Sequence, residues 1–265
     1  RRQTGEVLVV VDVGNTNTVF GIYRGDDLVA DFRLSTDTER TADEYGAMLL
    51  PLFGRSGIDP ATASAVIVSS VVPPLNSTLS RLSTEFFGRP PLYVEPGIRT
   101  GMPIRYDNPA EVGADRIVNA LAARARFGFP SVVVDLGTAT NFDVLDREGR
   151  YVGGIIAPGV ETSAEDLFRR AARLTKVDFT FPDRAIGANT RDCLRSGILL
   201  GAVGMIDTLV ERIWEELGAR GKCIATGGLA PLVAPRCRCI DHVEVGLTLE
   251  GLLLAERILR DRAGG

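Results

Sequence analysis

The sequence predicts an α/β fold built by internal duplication. The stretch VVVDVGNTNTVFGIYRGDDLVA (residues 9–30) returns in altered form as VVVDLGTATNFDVLDREGRYVG (residues 132–153). Both copies run apolar strand, Asp, apolar residue, Gly, a short Thr/Asn/Ala run, second strand, polar turn, third strand. In each half these strands are followed by segments with helical spacing, the pattern of an α/β protein rather than an all-β one. Two similar halves facing a shared cleft are therefore expected, each ending a buried strand in a carboxylate beside a glycine turn.

Residues 7–12, 17–23 and 27–34 read as strands, with turns at Gly14–Asn15 and Gly25–Asp26. Residues 41–56 carry helical spacing, with Thr41 as N-cap and Glu44 as its capping-box partner. Ala65–Ser69 is a short buried strand stopped by Pro73–Pro74, followed by a helix over 75–87 and a strand at 92–94. The loop from Glu95 to Asn108 is long and rich in Gly and Pro, which makes it a functional candidate. Pro109 suits the first position of a helix continuing to Phe127 and joining the halves. The second half repeats the order with strands at 131–136, 140–146 and 150–156. Asn189 or Thr190 caps a helix reaching Leu217, with Gly197, Gly201 and Gly204 on or near one face. Glycine inside a helix costs about 1 kcal/mol against Ala, so these three point to close approach of another helix, across a dimer. Lys222–Thr226 is a strand ending in Gly227–Gly228, and 247–262 is a final amphipathic helix.

Composition narrows the function. At 265 residues, 45% hydrophobic and 24% charged, the chain is an ordinary globular protein of one large or two small domains. A net charge of −4 argues against a nucleic-acid-binding surface. No apolar run is expected to approach the roughly 20 residues that span a bilayer, and the apolar run before Asp12 is too short for a signal peptide. Cys193, Cys223, Cys237 and Cys239 show no disulfide framework, so a reduced cytoplasm is the expected setting. Cys237, Cys239 and His242 have CxCxxH spacing but lack a second ligand pair, which favours a plain loop over a metal site. His242 is the one histidine, so a general base is expected to be a carboxylate.

Four constellations carry chemistry. After the first strand, Gly14 permits a tight turn whose N–H groups can face phosphate oxygens, and Asn15, Thr16, Asn17 and Thr18 add short polar groups. Asp12 suits a hydrated Mg²⁺, while the absence of GxxxxGK[ST] rules out a P-loop. Asp135, Gly137, Thr138 and Thr140 repeat the arrangement, with Asn141 and Asp143 alternating on the next strand. Gly113-Ala114-Asp115-Arg116, with Asn119, sits on the joining helix after Arg105, Tyr106 and Asp107. Its carboxylate can accept a hydroxyl proton while Arg116 holds an anion, although an Asp–Arg pair on a helix is as readily a solvated surface pair. Ala225-Thr226-Gly227-Gly228-Leu229-Ala230 is a strand-to-helix junction, open to a nucleotide or simply a tight connection.

Together these residues resemble the type III pantothenate kinases of the acetate and sugar kinase/Hsc70/actin superfamily. The segments carrying the resemblance are DVGNTNTVFGIY (12–23), STDTERTADEYG (35–46), SSVVPPL (69–75), RYDNPAEVGADRIVNALAA (105–123), DLGTATNFDV (135–144), GGIIAPGV (153–160), IGANTRDCLRSGI (186–198), ATGGLA (225–230) and LTLEGL (247–252), in order over nearly the whole chain. The resemblance implies two duplicated RNase-H-like, actin-like ATPase domains around a central cleft, divided as 1–115 and 116–265, with the final helix 247–262 able to pack back on the first. It implies a homodimer that phosphorylates pantothenate with ATP, the first step of coenzyme A synthesis, with no nucleic-acid or membrane partner. Carried onto this chain, Asp12, Val13, Gly14, Asn15, Thr16, Asn17, Thr18 and Val19 become the phosphate loop, with Mg²⁺ held near Asp12 through the phosphates and Thr138 as a further ATP contact. Asp115 becomes the general base, and Asp135 the ligand of a monovalent cation, K⁺ or NH₄⁺, rather than of a second Mg²⁺. Tyr106, Gly113, Ala114, Asp115, Arg116 and Thr190 become the pantothenate contacts, Thr190 reaching in from the partner subunit. Asn141 stands where the family commonly has Thr, Ala188 where it has Lys and Leu200 where it has Tyr.

Overall fold

The structure is a computed structural model that describes residues 6–95, 98, 100–171, 174 and 176–263. Pro96, Gly97 and Arg99 of the expected 95–108 loop, and the N-terminal residues 1–5, lie outside the described residues. The chain divides into two compact units. The first takes residues up to Gly101, Asp107–Ala122 and from Thr248 onward; the second takes Met102–Tyr106 and Ala123–Leu247.

In the first unit, β1 (Val7–Val13), β2 (Asn17–Arg24) and β3 (Asp27–Ser35) form an antiparallel meander, and β4 (Ala63–Ser70) and β5 (Pro91–Tyr93) add in parallel on the other side of β1. The sheet order is β3-β2-β1-β4-β5. Alternation along β1 divides its side chains between two cores. Val7, Val9, Val11 and Val13 join a cluster with α1 (Ala42–Ser56) and α2 (Asn76–Phe86), where Phe53 packs against Phe32 at 5.1 Å and Phe87 at 5.6 Å. Leu8 and Val10 face the opposite way, into a cluster with residues of α3 (Ala114–Phe127) and α8 (Leu247–Ala263). Asp12 therefore falls on the face that carries α3. The two helices approach closely because Gly251 has no side chain: a Cβ there would overlap the Val118 carbonyl. Thr248 also donates to Asn119 Oδ1 at 2.8 Å.

The second unit repeats the plan. Strands β6 (Ser131–Leu136), β7 (Ala139–Leu145) and β8 (Tyr151–Pro158) form the meander, and β9 (Lys222–Thr226) and β10 (His242–Val243) complete the order β8-β7-β6-β9-β10. Val132, Val134 and Leu136 point into a core shared with Leu199, Ile206, Val210 and Trp214, which puts Asp135 on the opposite face of the sheet. The duplication read from the sequence is thus a duplication of strand topology, with α4 (Val160–Arg170) and two further helices between β8 and β9 where α1 is the one α-helix between β3 and β4.

Thr41 caps α1 with both bonds of the expected capping box, Glu44 N–H to Thr41 Oγ1 at 3.3 Å and Thr41 N–H to Glu44 Oε2 at 2.8 Å. The helix expected from Pro109 is broken. Pro109–Glu111 is a single 3₁₀ turn capped by Asn108, and the α-helix begins only at Ala114. The expected helix from Asn189 to Leu217 is continuous but uneven, as α5 (Thr190–Arg195), a π turn (Ser196–Leu200) and α6 (Gly201–Leu217). Contrary to the expectation of no such run, this stretch is long and apolar enough to cross a membrane, with a mean hydropathy of 1.6 in its most apolar window. Core helices share that property, and Leu199, Ile206, Val210 and Trp214 of this one are buried in the second unit's core.

Candidate active site

In the first unit, the ladder between β1 and β2 ends at Val13↔Thr18, and the turn between them closes through Gly14 N–H to the Asn17 carbonyl at 2.9 Å. Asn15 and Thr16 are exposed at its tip, Asp12 is half-buried at its base, and Thr18 is fully buried behind it. The next link is Val71, whose N–H donates to the Val13 carbonyl at 3.0 Å. Its side chain lies 3.6 Å from where a Cβ of Gly113 would be. Val71 thus connects the turn to the start of α3, so the first unit brings Asp12–Val19 and Gly113–Arg116 together.

Asp115 is half-buried in the first turn of α3 and accepts the Arg116 N–H at 2.8 Å. A Cβ at Gly113 would stand 2.6 Å from Asp115 Oδ1, so the missing side chain at Gly113 gives this carboxylate its room. Burial pushes the Asp115 carboxyl above the usual carboxylate range, against the opposing pull of the Arg116 N–H and the Arg116 charge. Arg116 is itself buried. A half-buried carboxylate with a raised pKa is a stronger proton acceptor than an ordinary one.

In the second unit, Asp135 occupies on β6 the position Asp12 holds on β1. Asp12 pairs with Val19 and Ser69; Asp135 pairs with Asn141 and Thr226. Paired residues share a sheet face, so Asp135, Asn141 and Thr226 present oxygen atoms to the same side. Thr226 Oγ1 is buried with no hydrogen-bond partner, as is Ser69 Oγ in the first unit. Gly227, at φ +91°, passes so close that a Cβ there would lie 2.5 Å from Asp135 Oδ1. Carboxylate, hydroxyl and amide oxygens together form the donor set of a hard cation, and the orphaned Thr226 hydroxyl supports that fit. The Ala225–Ala230 junction therefore packs on Asp135, while the helix it opens, α7 (Ala230–Val233), is a single turn.

The second glycine turn closes through Gly137 N–H to the Ala139 carbonyl at 3.1 Å, with Thr138 exposed. Tyr106 is half-buried, its ring 6.4 Å from that of Tyr151 and against Gly153. The loop before it is pinned by Arg105 N–H to the Tyr151 carbonyl at 2.7 Å and Tyr151 N–H to the Pro103 carbonyl at 2.9 Å. Tyr151 in turn donates to the buried Asp143 at 2.9 Å. Thr190 is exposed at the first position of α5, after the capping residue Asn189.

Several supports escape the sequence reading. Thr36 and Thr162 each donate a hydroxyl proton to a turn carbonyl, that of Gly14 at 2.7 Å and that of Thr138 at 2.8 Å. Gly159 is side-chain-free because the Gly137 and Thr138 carbonyls fill its Cβ position. Thr36 lies in STDTER and Gly159 in APGV, but side-chain-to-turn bonds over such spans leave no periodicity to read. The CxCxxH segment is a packing region. His242 stacks on Phe127 at 4.7 Å, burial pushes the Cys237 thiol up to about 12, and the Cys239 contact and burial raise Cys223. Among the described residues no three or more His, Cys, Asp or Glu side chains cluster in the arrangement of a metal centre.

The family profile described as type III pantothenate kinase matches residues 8–212. The type III pantothenate kinase of Geobacter sulfurreducens is 52% identical over 256 residues, covering 97% of this chain and 99% of its own length. That of Moorella thermoacetica is 46% identical over 246 residues, covering 93% and 97%. Among solved structures, a conserved Baf family protein from Campylobacter jejuni superposes with a TM-score of 0.63 at 19% identity, covering 97% of this chain and 100% of its own. MreB 5 of Spiroplasma citri, bound to AMPPNP, does so with a TM-score of 0.58 at 12% identity, covering 98% of each chain. At these identities the structural likeness speaks for the actin-like fold alone.

Proposed function

The chain belongs to the type III pantothenate kinase family, and we propose how its residues carry out that family's reaction. The reaction moves the γ-phosphoryl group of ATP to the terminal hydroxyl of pantothenate and opens coenzyme A synthesis. The hydroxyl oxygen forms a bond to the γ-phosphorus, the bond from that phosphorus to the β–γ bridging oxygen breaks, and ADP leaves. Such a transfer needs charge neutralised on the phosphate oxygens and a nucleophile held in line more than it needs covalent help.

Asp115 takes the hydroxyl proton. The observation that carries this role is its placement: a half-buried carboxylate with a raised pKa, on the same sheet face as Asp12 and joined to the phosphate turn through Val71. The turn Asp12–Val19 cradles the phosphates with its exposed tip at Asn15 and Thr16, and Thr138 is a second ATP contact. Mg²⁺ near Asp12 would neutralise phosphate charge when bound. Asp135, with Asn141 and Thr226 beside it, would hold K⁺ or NH₄⁺. Tyr106, Gly113, Ala114, Arg116 and Thr190 form the pantothenate contacts, Arg116 offering the positive charge for its carboxylate.

A homodimer formed through the α5–α6 helix completes the reading. Gly197, Gly201 and Gly204 have open space where a Cβ would be, beside a groove of about 470 Å³ lined by Val160, Leu167, Ile198 and Met205. A coupled assay of ADP release with ATP and Mg²⁺, run on pantothenate, acetate and a sugar panel, tests the substrate. Turnover is expected with pantothenate, and more in potassium or ammonium than in sodium. Turnover on a sugar alone would overturn the acceptor, and indifference to the cation would remove Asp135 from its role.

A further inference from the structure

We propose that Thr36 is a positioning residue for the nucleotide phosphates, acting through the Asp12–Thr18 turn without touching ATP. The inference rests on the kinase reading above and assigns a role to a residue outside the turn. Thr36 lies one position beyond the end of β3 and is bonded to that turn three times. Its N–H donates to the Thr16 carbonyl at 3.0 Å, extending the β2–β3 ladder past its last pair, Asn17↔Ser35. Its hydroxyl donates to the Gly14 carbonyl at 2.7 Å, and the Thr18 hydroxyl lies 2.9 Å from the same oxygen. A hydroxyl carries one proton. Because that of Thr36 goes to Gly14, the bond between the two threonines is donated by Thr18.

The consequence is directional. With the Gly14 and Thr16 carbonyls and the Thr18 hydroxyl all drawn toward Thr36, the turn's acceptors are held on one side. Its exposed tip, Asn15 and Thr16, is left to face the phosphates. An acceptor oxygen turned toward a phosphate would repel it, so fixing the carbonyls matters as much as presenting donors.

Thr36 is itself held by the segment leading into α1. Arg40 donates to the Ser35 carbonyl at 3.1 Å and lies over the Tyr45 ring, 5.1 Å from its centroid. Tyr45, fully buried, contacts both the N–H and the carbonyl of Asp37 at 3.4 Å. The second unit uses a related device, since Thr162 donates to the Thr138 carbonyl. A threonine hydroxyl from beyond the third strand thus locks each duplicated turn.

The test compares Thr36→Val, Thr36→Ala and Thr36→Ser with the unsubstituted protein. The readouts are KM for each substrate, kcat, melting temperature, and the dissociation constant for ADP with Mg²⁺ in the absence of pantothenate. Thr36→Val is expected to raise KM for ATP and the ADP dissociation constant about tenfold, the factor set by one hydrogen bond of ordinary strength. KM for pantothenate should stay within about twofold, and Thr36→Ser should restore nucleotide affinity because it keeps the hydroxyl. Thr36→Ala covers the case in which a methyl group against the Gly14 carbonyl unfolds the Val variant. Unchanged nucleotide affinity in folded Val or Ala variants, an equal rise in both KM values, or a Ser variant as impaired as Val would each overturn the proposal. Failure of the unsubstituted protein to phosphorylate pantothenate would overturn the kinase reading instead, and the ADP measurement would still decide the role of Thr36.

Discussion

Asp115 is held in a state that costs stability at neutral pH and suits the proton-accepting role proposed for it. Its carboxyl is raised by burial, so the folded protein holds that proton to higher pH than the unfolded chain does. The contribution to stability is fully present below the ordinary carboxylate pKa and is lost as pH rises through the raised one. Asp115→Asn keeps an oxygen for the Arg116 N–H and removes the ionisation. At neutral pH its melting temperature should equal or exceed that of the unsubstituted protein, and the gap should shrink as the pH is lowered through the titration. A variant clearly less stable at neutral pH would show that the carboxylate is not strained. Gly227 is the matching constraint on Asp135. Ala there must adopt φ +91° with its Cβ 2.5 Å from Asp135 Oδ1, so a loss of about 1–3 kcal/mol is expected by chemical denaturation. A loss of only a few tenths would mean that the junction yields easily.

At the scale of elements, the strands and their turns were legible because short apolar runs ending in Gly, Asn and Asp have few alternative readings. The capping box at Thr41 was legible for the same local reason. The joining helix starts later than its sequence predicts. Pro109 is a good first helical residue, but Asn108 closes a one-turn cap around it, and Gly113 then makes space for Asp115. The π turn at Ser196–Leu200 was also not legible, since no composition marks a change from four-residue to five-residue hydrogen bonding. Tertiary clasps are hidden from sequence in the same way. Asp207, buried on α6, accepts the N–H groups of Arg238 at 2.8 Å and Cys239 at 3.0 Å, and so ties the 238–239 loop to the helix. Burial alone would raise its carboxyl, but these bonds and the Arg238 side chain outweigh that effect and lower it. Asp207→Ala is expected to cost about 1.5–3 kcal/mol at neutral pH. The contribution is present above the unfolded pKa and disappears as pH falls through the lowered folded value. A denaturation series across that acid range checks both size and sign, and a pH-independent difference would contradict the assignment.

At the scale of the whole molecule, the duplicated strand–Asp–Gly unit became two sheets of identical order, with Asp12 and Asp135 at equivalent register positions. The copies differ in surroundings: Val19 and Ser69 flank the first carboxylate, Asn141 and Thr226 the second. That difference underlies the proposed division between a nucleotide site and a cation site. The proposed base belongs to neither copy, because Asp115 is carried by the helix between them. Assembly is a separate expectation. Light scattering should give twice the chain mass, and Gly201→Leu should shift it toward the monomer; a fully active monomer would contradict the dimer. The central claim is that Asp115 accepts the proton while the glycine turn binds the nucleotide. Its most direct test is single-substrate nucleotide binding alongside turnover in Asp115→Asn. The account predicts kcat lower by about 10²–10⁴-fold with the ADP dissociation constant unchanged, whereas near-normal turnover in that variant would contradict it.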